Sequence, residues 1–436
     1  MGGNMQYSLE DARRLVIEAG LRMVKEGYTL RTYGNIGARI SDKQIVVTPS
    51  GRSYDSLVPE DIVVVNISDC SYEGVIVPSS EVRMIAAIFK ARPDVGFMLH
   101  THQPYASAVS ILEEDVDDIP CTKYGISGSD KLVKHVRNVL KRAPKCNALL
   151  LSHHGAVMIG DTMEDAFDSA KYVESKCKDR YEYLCAAYLE TADRSVEVDY
   201  GESFRKGDRI YVCVEDDTFD FETGMAYPKA LRSDVPHRFR EIAMMHDAMY
   251  KDFSVNYVKH VKTPSINAIS HDNQSFRPYI DDQAQVIGLD AVFFTPKVRL
   301  HRLTNDNKLE KLGLNHGAVL ITTGGALCTG NTKDDLAASE YCLEKACMAR
   351  ILANLLHHPK PIPKRCAKTL REKYITAYSK LRDYAVTASE INEVNKAVDE
   401  AVVPESLMPP KAMSEQQPAP EAIETATVTT EITTEA

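Results

Sequence analysis

Nowhere in the sequence does an apolar run approach the ~20 residues that a membrane-spanning helix needs. The opening stretch MGGNMQYSLEDARR also lacks an apolar core of signal-peptide length. Both absences make a soluble, cytoplasmic protein the expectation, with no membrane partner. The 10 cysteines form no CxxC pair. Scattered as they are, with Cys177 and Cys185 inside a helical pattern, they read as reduced, mostly buried thiols rather than a disulfide framework. Positive charge is in deficit too: a net charge of −10 argues against a nucleic-acid partner, although a local basic cleft could still bind an anionic metabolite. From Pro404 onward aromatic residues are missing altogether, and the Pro-, Ala-, Thr- and Glu-rich segment cannot bury enough apolar surface to offset its ordering entropy. Residues 404–436 are therefore expected to form a disordered tail.

What remains is an ordinary globular composition, 44% hydrophobic and 26% charged over 436 residues, long enough for two domains with a core each. Ser8 followed by Asp11, with Leu15, Ala19 and Met23 at helical spacing, predicts a helix that runs to Gly27. β-rich stretches follow at Ala38–Thr48 and Ile62–Ile67. Ser79 or Ser80 is expected to cap a helix that carries Val82, Ile85, Ala86 and Phe89 and ends before Pro93. Further helices are predicted over 129–142 and 162–190.

The second half repeats the first. Residues 148–180 lie without a gap against 318–350, so that Gly155, Ala156, Gly160, Thr162, Asp165, Ser169, Glu174, Cys177 and Arg180 recur as Gly325, Ala326, Gly330, Thr332, Asp335, Ser339, Glu344, Cys347 and Arg350. A second gap-free block sets Glu81–Ser110 against Glu241–Ser270. This is a domain duplication, with a first domain expected over 1–192 and a second over 205–385.

The chemistry-bearing residues fall in the first copy. In VGFMLHTHQP, strand alternation puts His100 and His102 on one face, a ready metal chelate. The run ALLLSHHGAV delivers His154 at a strand end, before a glycine that permits close backbone approach. Three neutral nitrogens, with the upstream Glu81 carboxylate, suit zinc or a similar divalent ion and leave room for substrate. An HxH pair by itself also fits a solvated strand face or packing histidines; the third histidine and the surrounding pattern favour the metal. In the second copy Glu81 and His100 meet Glu241 and His260, but His102 meets Lys262 and His154 meets Gly324, so the same site cannot form there. Asn315-His316-Gly317 mimics a third ligand, but using it would abandon the gap-free match.

Ahead of the histidines lie three segments of small hydroxyl or glycine residues: Thr32-Tyr33-Gly34-Asn35, Thr48-Pro49-Ser50-Gly51 and Ser79-Ser80-Glu81. They offer donors for an anion, helped by the positive end of a following helix. In order, GNIGAR, TPSG, PSSE, HTH and HHG resemble the class II aldolase and adducin family in its bacterial sugar-phosphate aldolase branch, over roughly residues 8–190. The resemblance implies a three-layer α/β/α fold with a central, mainly antiparallel sheet, here duplicated in tandem. It further implies a divalent metal on His100, His102 and His154, with zinc first and manganese, cobalt or iron(II) as alternatives. Glu81 would be the general base, and Thr32, Asn35, Ser50, Gly51, Ser79 and Ser80 would bind substrate phosphate.

The implied reaction is aldol or retro-aldol cleavage of a phosphorylated ketose or related hydroxy-ketone, through a metal-stabilised enediolate, with the Glu81 pKa raised toward the working pH. Epimerase or dehydratase chemistry on the same scaffold, and an inactive adducin-like interaction protein, are the competing readings. Fourfold rings are common in the family, so a homodimer of the tandem chain would rebuild a four-domain ring. The sequence departs from the pattern at Gly37, where a serine is usual, and in a shortened stretch before IPCTKYGISG that normally brings a catalytic tyrosine. Tyr124 is near that stretch in sequence.

Overall fold

The gap-free match between the halves reappears as one sheet topology built twice. The structure, a computed structural model, describes residues 6–222, 235–250, 254–294 and 317–375 of the chain. Asn315 and His316, the end of the domain expected to run to 385, and the segment 404–436 lie outside the described residues. All described residues belong to one compact unit, Met1–Val386.

In the first copy, strands β1 (Asn35–Arg39), β2 (Gln44–Val47), β3 (Val63–Asn66), β4 (Phe97–Thr101), β5 (Ala148–Leu151) and β6 (Gly155–Gly160) form a sheet in the order β3-β2-β1-β4-β6-β5. Every neighbouring pair is antiparallel. The stretch expected as β-rich over Ala38–Thr48 is a hairpin rather than one strand. It breaks where the Ser41 hydroxyl accepts the amides of Lys43 and Gln44, a local bond that competes with the strand ladder.

Alternation along the strands divides the apolar residues between two faces. Ile36, Val46, Leu99 and Met158 join a core with α1 (Leu9–Lys25), α3 (Pro104–Val109) and α5 (Met163–Thr191). Ile45, Val47, Met98 and Val157 join another with α2 (Val82–Ala91) and α4 (Asp130–Arg142). This is the expected three-layer arrangement. The Ser8 hydroxyl accepts the Asp11 amide at the start of α1, and Thr162 and Asp165 form a capping box at the start of α5. The buried Gly37 admits no serine without movement, because an added Cβ would lie 2.9 Å from the Phe89 ring. Arg39 donates to the carbonyls of Val95, Phe89 and Arg92 and so ties β1 to the end of α2.

The second copy comprises β7 (Glu202–Lys206), β8 (Arg209–Val214), β9 (Asp217–Glu222), β10 (Tyr257–Val261), β11 (Val292–Phe294), β12 (Ala318–Ile321) and β13 (Ala326–Gly330). Their order, β11-β12-β13-β10-β7-β8-β9, repeats that of the first sheet with one added parallel edge strand, β11. Helices α6 (Arg240–Met249), α7 (Pro264–Ser270) and α8 (Lys333–Leu356) correspond to α2, α3 and α5, and α9 (Lys364–Lys373) follows. Thr332 and Asp335 repeat the capping box at the start of α8.

The copies share a core. Ala106, Val109, Val173 and Cys177 of the first pack in one apolar cluster with Ile266, Leu343, Cys347 and Ile351 of the second. The central helical layer therefore belongs to both, and it brings the second copy's side chains up to the mouth of β4.

Candidate metal centre

The register of the first sheet assembles the site. Asn35 lies opposite His100 in the β1–β4 pair, and Thr101 lies opposite Ala156 in the β4–β6 pair. His102 follows the end of β4, and His154 occupies the tight connection into β6. That connection depends on Gly155, since a Cβ there would fall 2.2 Å from the Thr101 carbonyl oxygen. The three rings meet with centroids 4.8 to 4.9 Å apart. His100 Nε2 lies 3.0 Å from His154 Nε2 and 3.1 Å from His102 Nε2.

Each opposite ring nitrogen faces an acceptor. His100 Nδ1 meets the Ala156 carbonyl at 2.9 Å. His102 Nδ1 meets both Asp282 carboxylate oxygens at 2.9 Å, and His154 Nδ1 meets Asp281 Oδ2 at 3.1 Å. Carbonyl and carboxylate oxygens only accept, so the ring protons belong on Nδ1 and the Nε2 lone pairs converge. Glu81 completes the cluster, with Oε2 3.2 Å from His100 Nε2. Three lone pairs and a carboxylate directed at one point repel one another unless a cation sits among them. Zinc takes nitrogen ligands at about 2.0–2.1 Å, which sets them slightly farther apart than the separations seen here. The donor set therefore fits a divalent ion, and among the described residues this trio is the one such cluster.

Glu81 is not where sequence reasoning placed the helix cap. Instead of Ser79 or Ser80, Glu81 itself occupies the N-cap of α2, without a side-chain capping bond. The Ser79 hydroxyl accepts the Glu81 amide, and the Val82 amide closes a turn on the Ser79 carbonyl. The Glu81 carboxylate is thereby free to reach the histidines, held by Asn35 Nδ2 at 2.9 Å and the Ser127 hydroxyl at 3.1 Å. Burial alone would raise its pKa, as the sequence reading supposed. The neighbouring His100 and His154 rings outweigh burial and hold the carboxyl well below its usual range. Burial lowers His102 to about 4 despite Asp282. For His154 burial acts downward as well, but Glu81 and Asp281 prevail and raise it to about 9.

The other expected residues gather less tightly. The Ser79 and Ser50 amides donate to the Thr48 and Val77 carbonyls, and Pro49 pairs with Pro78. The TPSG and PSSE segments thus lie side by side, with the Ser50 and Ser79 hydroxyls rather than their amides left as donors. Gly51 has a left-handed φ of 71°. Ser80 is exposed, and Thr32 sits half-buried in the turn before β1. Asn35, expected at phosphate, spends its Nδ2 on Glu81.

Residues of the second copy escaped the sequence reading. Asp281 and Asp282 open the short helical segment that follows α7 and continues over Gln283–Ile287, and the fully buried Lys345 of α8 forms an ion pair with Asp282. Lys345 Nζ and the Tyr341 hydroxyl also donate to the His102 carbonyl, each at 3.0 Å. Tyr124 OH donates to Asp281 Oδ1 at 2.9 Å. The available signals were a lysine within the apolar helical run CLEKACMARIL and an adjacent acidic pair after Tyr279-Ile280.

The second copy's matching positions are closed by internal bonds. His260 Nε2 donates to the Gly324 carbonyl at 3.0 Å, and its Nδ1 is engaged by the Tyr200 amide and Asp199. Lys262 pairs with Asp199, and Glu241 accepts the Tyr200 hydroxyl.

Comparison with known proteins agrees with both copies. The family model for the class II aldolase and adducin N-terminal domain matches residues 14–181 and again 229–351. Over 195 residues the chain is 31% identical to an L-fuculose phosphate aldolase of Haemophilus influenzae, covering 42% of this chain and 84% of that protein. Over 179 residues it is 28% identical to a 5-deoxy-D-ribulose 1-phosphate aldolase of Bacillus thuringiensis, covering 38% and 82%. A solved L-fuculose 1-phosphate aldolase shares 25% identity over 44% of this chain and 91% of its own, with a TM-score of 0.38. With its two matched regions spanning more than half of its length, the chain belongs to the class II aldolase and adducin family.

Proposed function

We propose that the chain is a metal-dependent lyase that cleaves, or forms by aldol addition, a phosphorylated ketose or related hydroxy-ketone. One observation carries the reading: the Nε2 atoms of His100, His102 and His154 converge beside Glu81 while their Nδ1 atoms are all occupied. His100, His102 and His154 would hold the ion, with zinc the first choice for this donor set. When bound, the ion supplies Lewis-acid polarisation of the ketose carbonyl. Glu81, ionised and fixed by Asn35 and Ser127, takes the proton from the carbon beside that carbonyl in the addition direction. In cleavage the substrate hydroxyl that becomes the aldehyde oxygen gives up its proton as the carbon–carbon bond breaks, and Glu81, protonated in that step, returns a proton to the same carbon. Burial of the four residues excludes water and strengthens these electrostatic effects. Ser50, Ser79, Ser80, Gly51 and Thr32 form the proposed phosphate side, and Asn35 acts through Glu81. Relatives named for sugar-phosphate aldolase activity support this substrate class.

Among the described residues no helix is long and apolar enough to cross a membrane, in keeping with a small-molecule substrate in solution. The deciding experiment loads stripped protein with zinc and assays a panel of phosphorylated ketoses for aldehyde release. Turnover that chelation abolishes and metal restores is expected. No aldehyde from any member of the panel by fully loaded protein would overturn the proposal.

A further inference from the structure

Of the three candidate ligands, only His100 has its Nδ1 acceptor within its own copy, at Ala156. The acceptors for His102 and His154 come from the other copy, at Asp282 and Asp281. Asp282 sits in a closed circuit: its carboxylate accepts the hydrogen bond from His102 Nδ1–H, its partner Lys345 also donates to the His102 carbonyl, and Tyr341 donates to the same carbonyl. Ring and backbone of one residue are thus gripped together. Asp281 is fixed between the His154 ring and the Tyr124 hydroxyl. Asp281, Asp282 and Lys345 are almost wholly buried.

Charge completes the picture. Glu81, Asp281 and Asp282 bring three negative charges into the buried cluster, and Lys345 returns one positive charge. With the three rings neutral, as ligation of a metal requires, two negative charges remain, which a low-dielectric interior tolerates poorly and a single divalent ion would neutralise.

We infer that the metal centre is composite. The first copy supplies the ligands, while Asp281 and Asp282 of the second act as positioning residues that hold His154 and His102 with Nε2 toward the ion, and Lys345 secures Asp282. A carboxylate behind a ligating imidazole fixes its tautomer and raises its basicity, and removing such a partner typically lowers metal affinity ~10–100-fold. The second copy, whose matching positions are closed by internal bonds, is then needed to complete the site of the first. This inference rests on the metal-centre reading above.

The test uses the full-length chain, stripped of metal, in four forms: wild type, Asp281→Asn, Asp282→Asn, and Asp282→Asn combined with Lys345→Met. The last removes both members of the buried ion pair, so that no lone ammonium is left in the core. Zn2+ affinity is measured by competition with a chromophoric chelator, the visible spectrum of the Co2+-loaded protein reports ligand geometry, and melting of the metal-free protein reports stability. Wild type is expected to bind one Zn2+. Asp281→Asn and the double variant should each bind it ~10–100-fold more weakly, with altered Co2+ spectra. A purely structural role would lower the melting temperature of the metal-free protein and leave affinity and spectrum unchanged. If wild type binds Zn2+ and both variants match it within about twofold, the inference is overturned and the metal reading stands. If wild type binds no Zn2+, the metal reading itself falls. Asp281→Asn, which disturbs no ion pair with a lysine, decides the matter should the double variant not fold.

Discussion

The two copies share a sheet order, a capping box and a set of corresponding helices, yet at corresponding positions they do opposite things with their polar groups. In the first, His100 places its Nδ1 on the Ala156 carbonyl and turns its Nε2 toward two other rings and the Glu81 carboxylate. In the second, His260 commits its Nε2 to the Gly324 carbonyl, and the place of His102 is taken by Lys262, neutralised by Asp199. The first copy turns these groups toward one point, where a divalent ion would pair them, whereas the second bonds the corresponding groups internally. The lesson is that this fold tolerates loss of the metal site easily. A few substitutions turn converging donors into an ordinary buried hydrogen-bond network.

The sharpest way to break the comparison is to separate the copies. A chain ending at Asp193 loses Ile266, Leu343, Cys347 and Ile351 from the common core, together with Asp281 and Asp282. Light scattering should find aggregates or a reassembled oligomer, with activity largely lost; a monodisperse, fully active monomer would show that the second copy is dispensable. Next in size are the paired glutamates. Glu81→Gln should slow proton exchange at the carbon beside the substrate carbonyl by ~10²–10⁴-fold with metal retained. Glu241→Gln, which only disturbs the bond from Tyr200, should leave that rate within about twofold of wild type. Equal losses in isotope-exchange assays would erase the distinction between the copies.

The lysines give a smaller contrast, read in stability. Lys345 is fully buried against Asp282, so Lys345→Met strands a buried carboxylate and should cost about 3–5 kcal/mol by denaturant titration. Lys262 is 39% exposed in its pair with Asp199, and Lys262→Met should cost about 0–1 kcal/mol.

The smallest effect is on pH dependence without metal. His154 is raised from 6.5 to about 9, so its contribution to stability is complete below pH 6.5 and disappears as the pH rises through 9. His102 is lowered from 6.5 to about 4, so its contribution holds above pH 6.5 and is lost as the pH falls through 4. The melting temperature of the stripped protein should therefore decline in both directions from about pH 6.5. His154→Gln should flatten the alkaline side. His260→Gln should leave that side intact, because burial lowers the His260 pKa instead of raising it.

Much of this architecture could be read from the chain because its signals are local. The Ser8–Asp11 cap, the apolar spacing of α1, and each gap-free block of the repeat need only a short window of sequence. The histidine cluster was legible for the same reason, since His100 and His102 lie two residues apart and His154 precedes a glycine. Errors arose where one side chain had two uses. Ser79 suggested a cap, but its hydroxyl takes the Glu81 amide, which moves the N-cap onto the catalytic candidate itself. Asp281, Asp282 and Lys345 stand out in the sequence only as an acidic pair and a lysine in an apolar run, and their part in the site is not legible there. They meet His102 and His154 across the packing of one copy on the other, and nothing in a linear pattern reports which faces of two domains touch.

The division of labour between the copies is tested most directly by counting ions. Elemental analysis of the full chain, reconstituted with zinc and freed of loosely bound metal, should find one ion per chain, lost in His102→Ala and in His154→Ala and kept in His260→Ala. Two tightly held ions per chain, or an ion that survives loss of His102 or His154, would contradict the account.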